Sequence, residues 1–125
     1  MRVSTLMERP VQRIDEDAPV QQAAEIMGKK RIGSLLVTRE NENIGVITEE
    51  DIISKLIAEK YDLDAIIVKE VMSQPPITVD KDTEGETVIK LMDEKKVHRV
   101  FVTDKDEIIG IFSTSDITKL AKTNQ

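Results

Sequence analysis

Slid against itself by 65 residues, the sequence aligns with its own second half without a gap. Met7 falls on Met72, Pro10 on Pro75, Asp15 on Asp80, Asp17 on Asp82 and Met27 on Met92. Val37-Thr38 falls on Val102-Thr103, Ile44-Gly45 on Ile109-Gly110, and Asp51-Ile52 on Asp116-Ile117. One offset serves from Val3 to about Leu56, so the chain is an internal duplication. The copies divide as residues 1–60 and 61–125, with the stretch from about Ala58 to Ile67 as linker. A lone half of about 60 residues would be marginal, so the halves are expected to form one compact module.

Each copy reads as strand–helix–strand–strand–helix. Short extended pieces, Gln12–Ile14 and Ile77–Val79, precede a helix. Val20, Ala23, Ala24 and Met27 recur at helical spacing, and Val88, Ile89 and Met92 do the same in the second copy. Thr83 with Glu86 reads as a capping box opening that second helix. Strands follow at Ser34–Thr38 and Ile44–Thr48, then at Arg99–Thr103 and Ile108–Ser113, joined by polar turns. Ile52, Ile53, Leu56 and Ile57 form the stripe of a closing helix, as do Ile117, Leu120 and Ala121. Three strands with both helices on one face leave the other face bare. The expected class is therefore α+β, with two βαββα repeats packed sheet to sheet about a pseudo-two-fold axis.

Composition removes whole classes of chemistry. There is no cysteine, so disulfides, thiol catalysis, cysteine zinc sites and iron–sulfur clusters are out. His98 is the only histidine, which rules out a multi-histidine metal site. A net charge of −6 argues against nonspecific nucleic-acid binding, which needs a basic stripe. No apolar run approaches a membrane span, and Met1 to Pro10 lacks the apolar run of a signal peptide, so the reading is a cytoplasmic protein without a membrane role. The sequence holds no HExxH and no GxxxxGK[ST], and no acid–base pair is marked by an apolar setting, so it is not read as an enzyme.

Two constellations could carry binding. Gly45-Val46-Ile47-Thr48-Glu49-Glu50-Asp51 and Gly110-Ile111-Phe112-Ser113-Thr114-Ser115-Asp116 each place a glycine in a strand, a hydroxyl at its end and an aspartate in the next helical turn. The hydroxyl and the acid three residues on can cap the helix. The same short carboxylate can instead accept two hydrogen bonds from a vicinal diol such as a ribose, and the turn's amides can meet a phosphate. Both readings fit the residues. The second constellation is Val97-His98-Arg99-Val100, where Arg99 can give a forked contact to phosphate and His98 a further bond; two polar residues at an exposed strand start is the plainer reading. The first copy has Gly33 and Ser34 in those places.

The duplicated unit resembles the cystathionine-β-synthase (CBS) domain, and the tandem resembles a Bateman module, from about Val3 to Ala121. The likeness rests on Val71-Met72 followed by Pro75-Pro76-Ile77-Thr78-Val79, on Val97-His98-Arg99-Val100-Phe101-Val102, and on both Gly-x-x-[Thr/Ser]-x-x-Asp endings. It implies a regulatory module that senses an adenosine-containing nucleotide in the cleft between the repeats, with AMP, ADP, ATP or S-adenosylmethionine as possible ligand and no required cofactor. Carried over residue by residue, it implies that Asp51 and Asp116 hold ribose and that Thr48 and Ser113 meet phosphate, with Ser115 adding a contact. It implies further that His98 and Arg99 bind phosphate, and that Gln12, Arg13, Ile77 and Thr78 line the adenine. The first copy departs from the pattern at Arg13, at Gly33-Ser34 and at Glu49-Glu50, which favours the Asp116 pocket. The resemblance also implies a homodimer paired through helices, acting on an unidentified regulated protein. The rival reading is a structural or interaction module with vestigial pockets that acts through a protein partner.

Overall fold

The structure, a computed structural model, describes residues 1–119. Leu120 and Ala121, assigned above to a helical stripe, lie outside the described residues. The elements of the first copy are α1 (Val3–Leu6), β1 (Arg13–Asp15), α2 (Val20–Lys30), β2 (Ser34–Arg39), β3 (Glu42–Thr48) and α3 (Glu49–Asp51), which runs on as a π-helix over Ile52–Ile57. The second copy has a 3₁₀ turn at Val68–Glu70, β4 (Thr78–Asp80), α4 (Gly85–Lys95), β5 (Arg99–Asp104), β6 (Glu107–Ser113) and a 3₁₀ turn at Thr114–Asp116. The fold is α+β, with two three-stranded mixed sheets in the orders β1-β2-β3 and β4-β5-β6.

The local reasons are those of the sequence. β1 pairs parallel to β2, and β3 returns antiparallel across a two-residue turn; β4, β5 and β6 repeat this. Both turns have positive φ at both central residues, 47° and 70° at Glu40-Asn41 and 51° and 70° at Lys105-Asp106. That is the mirror-image turn whose twist suits a hairpin, here with Asn and Asp, which tolerate the left-handed region, at the second place. α2 and α4 each close on a left-handed basic residue, Arg31 and Lys96, with lysines complementing the dipole of the last turn.

The chain forms two compact units that exchange their leading segments. One unit is Gln12–Pro76; the other is Met1–Val11 with the chain from Ile77 onward. In the first unit α2 lays Val20, Ala23 and Met27 on Leu35, Val37 and Ile47 of its sheet, and Val68 and Val71 close the core from the far end of the unit. In the second unit Val88 and Met92 lie on Val100, Val102 and Phe112, and Val3 and Leu6 of α1 close that core. Each such buried Val, Leu, Ile, Met or Phe side chain contributes about 1.5–3 kcal/mol. Backbone bonds hold the exchanged segments at equivalent places: Val3 N–H to Thr83 O (2.8 Å) and Val68 N–H to Ala18 O (2.9 Å), then Gly85 N–H to Met1 O (2.8 Å) and Val20 N–H to Ile66 O (2.9 Å).

Two sequence expectations are corrected. The Thr83–Glu86 capping box does not form: α4 starts at Gly85 behind Glu84, and no side chain caps it. The leading amide of that helix is taken by the Met1 carbonyl, so the cap comes from the exchanged segment. The closing stripe of the first copy is also narrower than expected. Ile52 and Leu56 are buried, but Ile53 and Ile57 are 57% and 54% exposed. A short helix on one sheet buries a single stripe, and residues one step further round fall outside it.

Candidate ligand-binding site

The candidate site of the second copy is built at the end of β6. Directly opposed residues of neighbouring strands share a face. Thr78 stands opposite Phe101, Phe101 opposite Ile111, and Arg99 opposite Ser113. Thr78, Arg99 and Ser113 therefore share the sheet face opposite to that of Val100, Val102 and Phe112. The first copy repeats the arrangement with Arg13 opposite Leu36 and Ser34 opposite Thr48. Leu36 and Phe101, on that face at equivalent positions, are buried although they belong to neither helix-side core. The carbonyls of Gln12 and Ile77 each accept a backbone bond at the head of the first strand, from Leu36 N–H (3.0 Å) and Phe101 N–H (2.8 Å).

Both aspartates are engaged in the cap that the spacing allows. Asp51 Oδ2 accepts from Thr48 N–H at 3.0 Å, and Asp51 N–H donates to Thr48 Oγ1 at 3.1 Å. Asp116 Oδ2 accepts from Ser113 N–H at 2.9 Å and from its hydroxyl at 3.3 Å. Ser113 Oγ and Ser115 Oγ are 2.7 Å apart, so the two hydroxyls form one polar edge beside the carboxylate. Asp116 is 3% exposed. A carboxylate oxygen carries two acceptor sites: the cap uses one of those on Asp51 Oδ2 and both on Asp116 Oδ2, and Oδ1 of each aspartate adds two more.

The second oxygen of each aspartate meets a lysine that the sequence reading did not single out. Asp51 Oδ1 lies 3.0 Å from Lys55 Nζ, and Asp116 Oδ1 lies 2.9 Å from Lys119 Nζ. Lys55 also donates to Val71 O at 3.0 Å, and Lys119 to Leu6 O at 3.2 Å and to the Glu8 carboxylate. Hydrogen bonds to Glu8 first and Asp116 second hold the Lys119 ammonium above the usual lysine range. A lysine three or four residues after an acid is a legible helix pair. Its bond to a backbone carbonyl, 16 residues away for Lys55 and 113 for Lys119, leaves no sequence signal.

His98 and Arg99 are parted. His98 is exposed and lines a groove of about 470 Å³ with Met92, Val97, Thr114 and Ile117 on the helix side of the sheet. Its carbonyl accepts from Thr114 N–H at 2.9 Å. Arg99, the next residue, opens β5 opposite Ser113, whereas His98 lies in the bend before the strand. Among the described residues no group of acidic or histidine side chains could hold a metal ion, and no helix is long and apolar enough to cross a membrane.

Known proteins are similar in sequence and fold. An uncharacterised protein of Methanopyrus kandleri is 38% identical over 82% of this chain, which spans about half (55%) of that protein. The structure of a CBS domain protein from Pyrobaculum aerophilum complexed with AMP is 26% identical with a TM-score of 0.84, over 98% of this chain and 99% of that one. A hexameric CBS-CP12 protein from bloom-forming cyanobacteria is 29% identical with a TM-score of 0.89, over 94% of this chain and 66% of that one. Residues 3–58 and 68–122 each match the CBS domain itself. With both halves of the duplication matched and a three-stranded sheet in each, the chain belongs to the CBS domain family.

Proposed function

We propose that the chain is a regulatory module whose two copies bind an adenosine-containing nucleotide, with Asp116 and Asp51 as ribose ligands. The observation that carries this reading is the twin carboxylate: in both copies it stands at the same strand end, oriented by the same cap, beside a hydroxyl that can meet a phosphate. The AMP complex of the Pyrobaculum aerophilum relative supports the choice of ligand class. Arg99, on the Ser113 face, is assigned to the phosphate, and the Gln12–Arg13 and Ile77–Thr78 backbone to the base. Binding acts by shifting a conformational equilibrium, to the extent of the ligand's differential affinity for the two states. Thermal unfolding with AMP, ADP, ATP and S-adenosylmethionine tests it. A ligand at 100 times its dissociation constant adds about 2.7 kcal/mol of stability. No shift with any of the four removes the sensor reading.

A second reading, assembly with a protein partner, is favoured by one observation. Ile53 and Ile57, one helical turn apart, and Tyr61 beyond them are exposed. We assign this stripe to a homodimer contact. Light scattering is expected to give a dimer for the natural chain and a monomer for Ile57→Asp; equal masses would remove the contact.

A further inference from the structure

The two lysines reach the same pair of acceptors from different places in the repeat. Leu6 and Val71 are equivalent under the 65-residue offset, as are Asp51 and Asp116. Lys55 and Lys119 are not: the residue equivalent to Lys119 is Ser54, and the one equivalent to Lys55 is Leu120. Yet each ammonium bridges the aspartate's Oδ1 to the carbonyl at that one position, from the fourth residue after the aspartate in the first copy and from the third in the second. An arrangement restored from a shifted register is more than an inherited surface ion pair, which in general contributes little.

The bridged segments are themselves alike. Glu8 exchanges both backbone bonds with Ile111, at 2.8 and 3.1 Å, and Ser73 does so with Val46, at 2.9 Å each. Each adds a one-residue strand to the free edge of its sheet, next to β6 or β3. The lysine thus joins three things: the carboxylate, the cap that orients it, and the strap along the sheet edge.

We propose that Lys119 and Lys55 are positioning residues of the nucleoside site. Each holds one carboxylate oxygen while the cap amide holds the other, which fixes the plane in which the carboxylate meets a cis-diol and ties it to the strap. This rests on the nucleotide reading above. In the second copy the ammonium already meets Asp116, Leu6 O and Glu8 among the described residues, enough acceptors for its three N–H donors, so Lys119 orients the aspartate rather than reaching a phosphate itself.

Calorimetric titration of the full chain with AMP and with 2′-deoxy-AMP tests the proposal, using Lys119→Met, Lys119→Arg and, should the first lose its fold, Lys55→Met. Removing the ammonium is expected to weaken AMP about tenfold, the scale of one charge-assisted hydrogen bond. It should weaken 2′-deoxy-AMP less, so that discrimination between the two narrows, and Lys119→Arg should restore it. Equal losses for both nucleotides would mean a merely structural role, and unchanged AMP affinity in the Met variants would remove any role; either result overturns the proposal. If the natural chain binds no AMP, the nucleotide reading itself fails and the positioning role falls with it. Natural-chain binding alongside unaffected Met variants sinks the positioning role alone.

Discussion

At the end of β6, Asp116 stands beside Ser113, Ser115 and Arg99; at the end of β3, Asp51 has Thr48, Glu50 and Ser34 in those places. The frame is duplicated: a strand-end hydroxyl, a capped carboxylate, a lysine on its other oxygen and a strap on the sheet edge. The charge around the frame is not. Where the second copy offers a guanidinium and two hydroxyls, the first offers a serine, a threonine and one acid. On the proposed function, the geometry common to both copies serves the diol and the residues that differ set the preference for phosphate. A second pair makes the same point. Glu16 and Arg39 in the first copy are replaced by Lys81 and Asp104 in the second, and the ion pair persists with its sign reversed. An interaction that survives reversal serves the fold, since an anionic ligand would tolerate one sign only.

The comparison can be broken first at the glycines under the straps. A Cβ at Gly45 would lie 2.8 Å from both Met72 Sδ and the Ser73 carbonyl, which Val46 N–H pins in place. At Gly110 it would lie 2.3 Å from Met7 Sδ, the far end of a flexible side chain, but 3.2 Å from the Glu8 carbonyl. Gly45→Ala is therefore expected to cost about 1–3 kcal/mol, the range for overpacking, and Gly110→Ala less, because a thioether can swing aside and a paired carbonyl cannot. Urea denaturation of the two variants checks this; the reverse order would show that the methionine is the rigid partner.

Next, Arg99→Ala and His98→Ala separate the two sides of the second sheet. Titration with ATP and adenosine should show Arg99→Ala weakening ATP by about tenfold, as for a lost charge-assisted contact, with adenosine little changed. His98→Ala should leave both affinities as they are, since its side chain opens to the helix-side groove. A loss of ATP affinity in the histidine variant would place phosphate on that side.

The smallest effect concerns the reversed ion pair. Buried Glu16 takes hydrogen bonds from two nitrogens of Arg39, one at 3.0 Å, and these hold its carboxyl below the ordinary 4.5. A carboxyl lowered in the folded state stabilises fully above that ordinary value, and the contribution fades as pH falls through the native value. Urea midpoints taken from pH 7 downward should fall less in acid for Glu16→Gln than for the natural chain. Parallel curves would remove the pair from the acid response.

Much of this was legible in the sequence where a side chain reports its own environment. Val20, Ala23 and Met27 mark a buried helix face, and the spacing of Thr48 and Asp51 allows a cap as one of two readings. The exchange of leading segments was not legible, because Val3 N–H to Thr83 O and its counterpart are backbone bonds that any residue can make. The lysine bridges escaped for a related reason: the pairing with aspartate is local, but its second acceptor is a carbonyl delivered by that exchange. His98 and Arg99 read as one phosphate-binding pair because adjacency in sequence does not show that one lies in the bend before β5, beside the helix-side groove, and the other in the strand. Ile53 and Ile57 read as core because hydrophobicity alone does not tell a core stripe from an exposed one.

Titration of AMP into the natural chain, Asp116→Ala and Asp51→Ala tests the twin-carboxylate account most directly. The account predicts binding by the natural chain, a loss of about 1.5–3 kcal/mol at the tighter site in Asp116→Ala, and loss of the weaker site alone in Asp51→Ala. Identical isotherms for all three proteins, with the two variants merely less stable, would show the aspartates to be helix caps and nothing more.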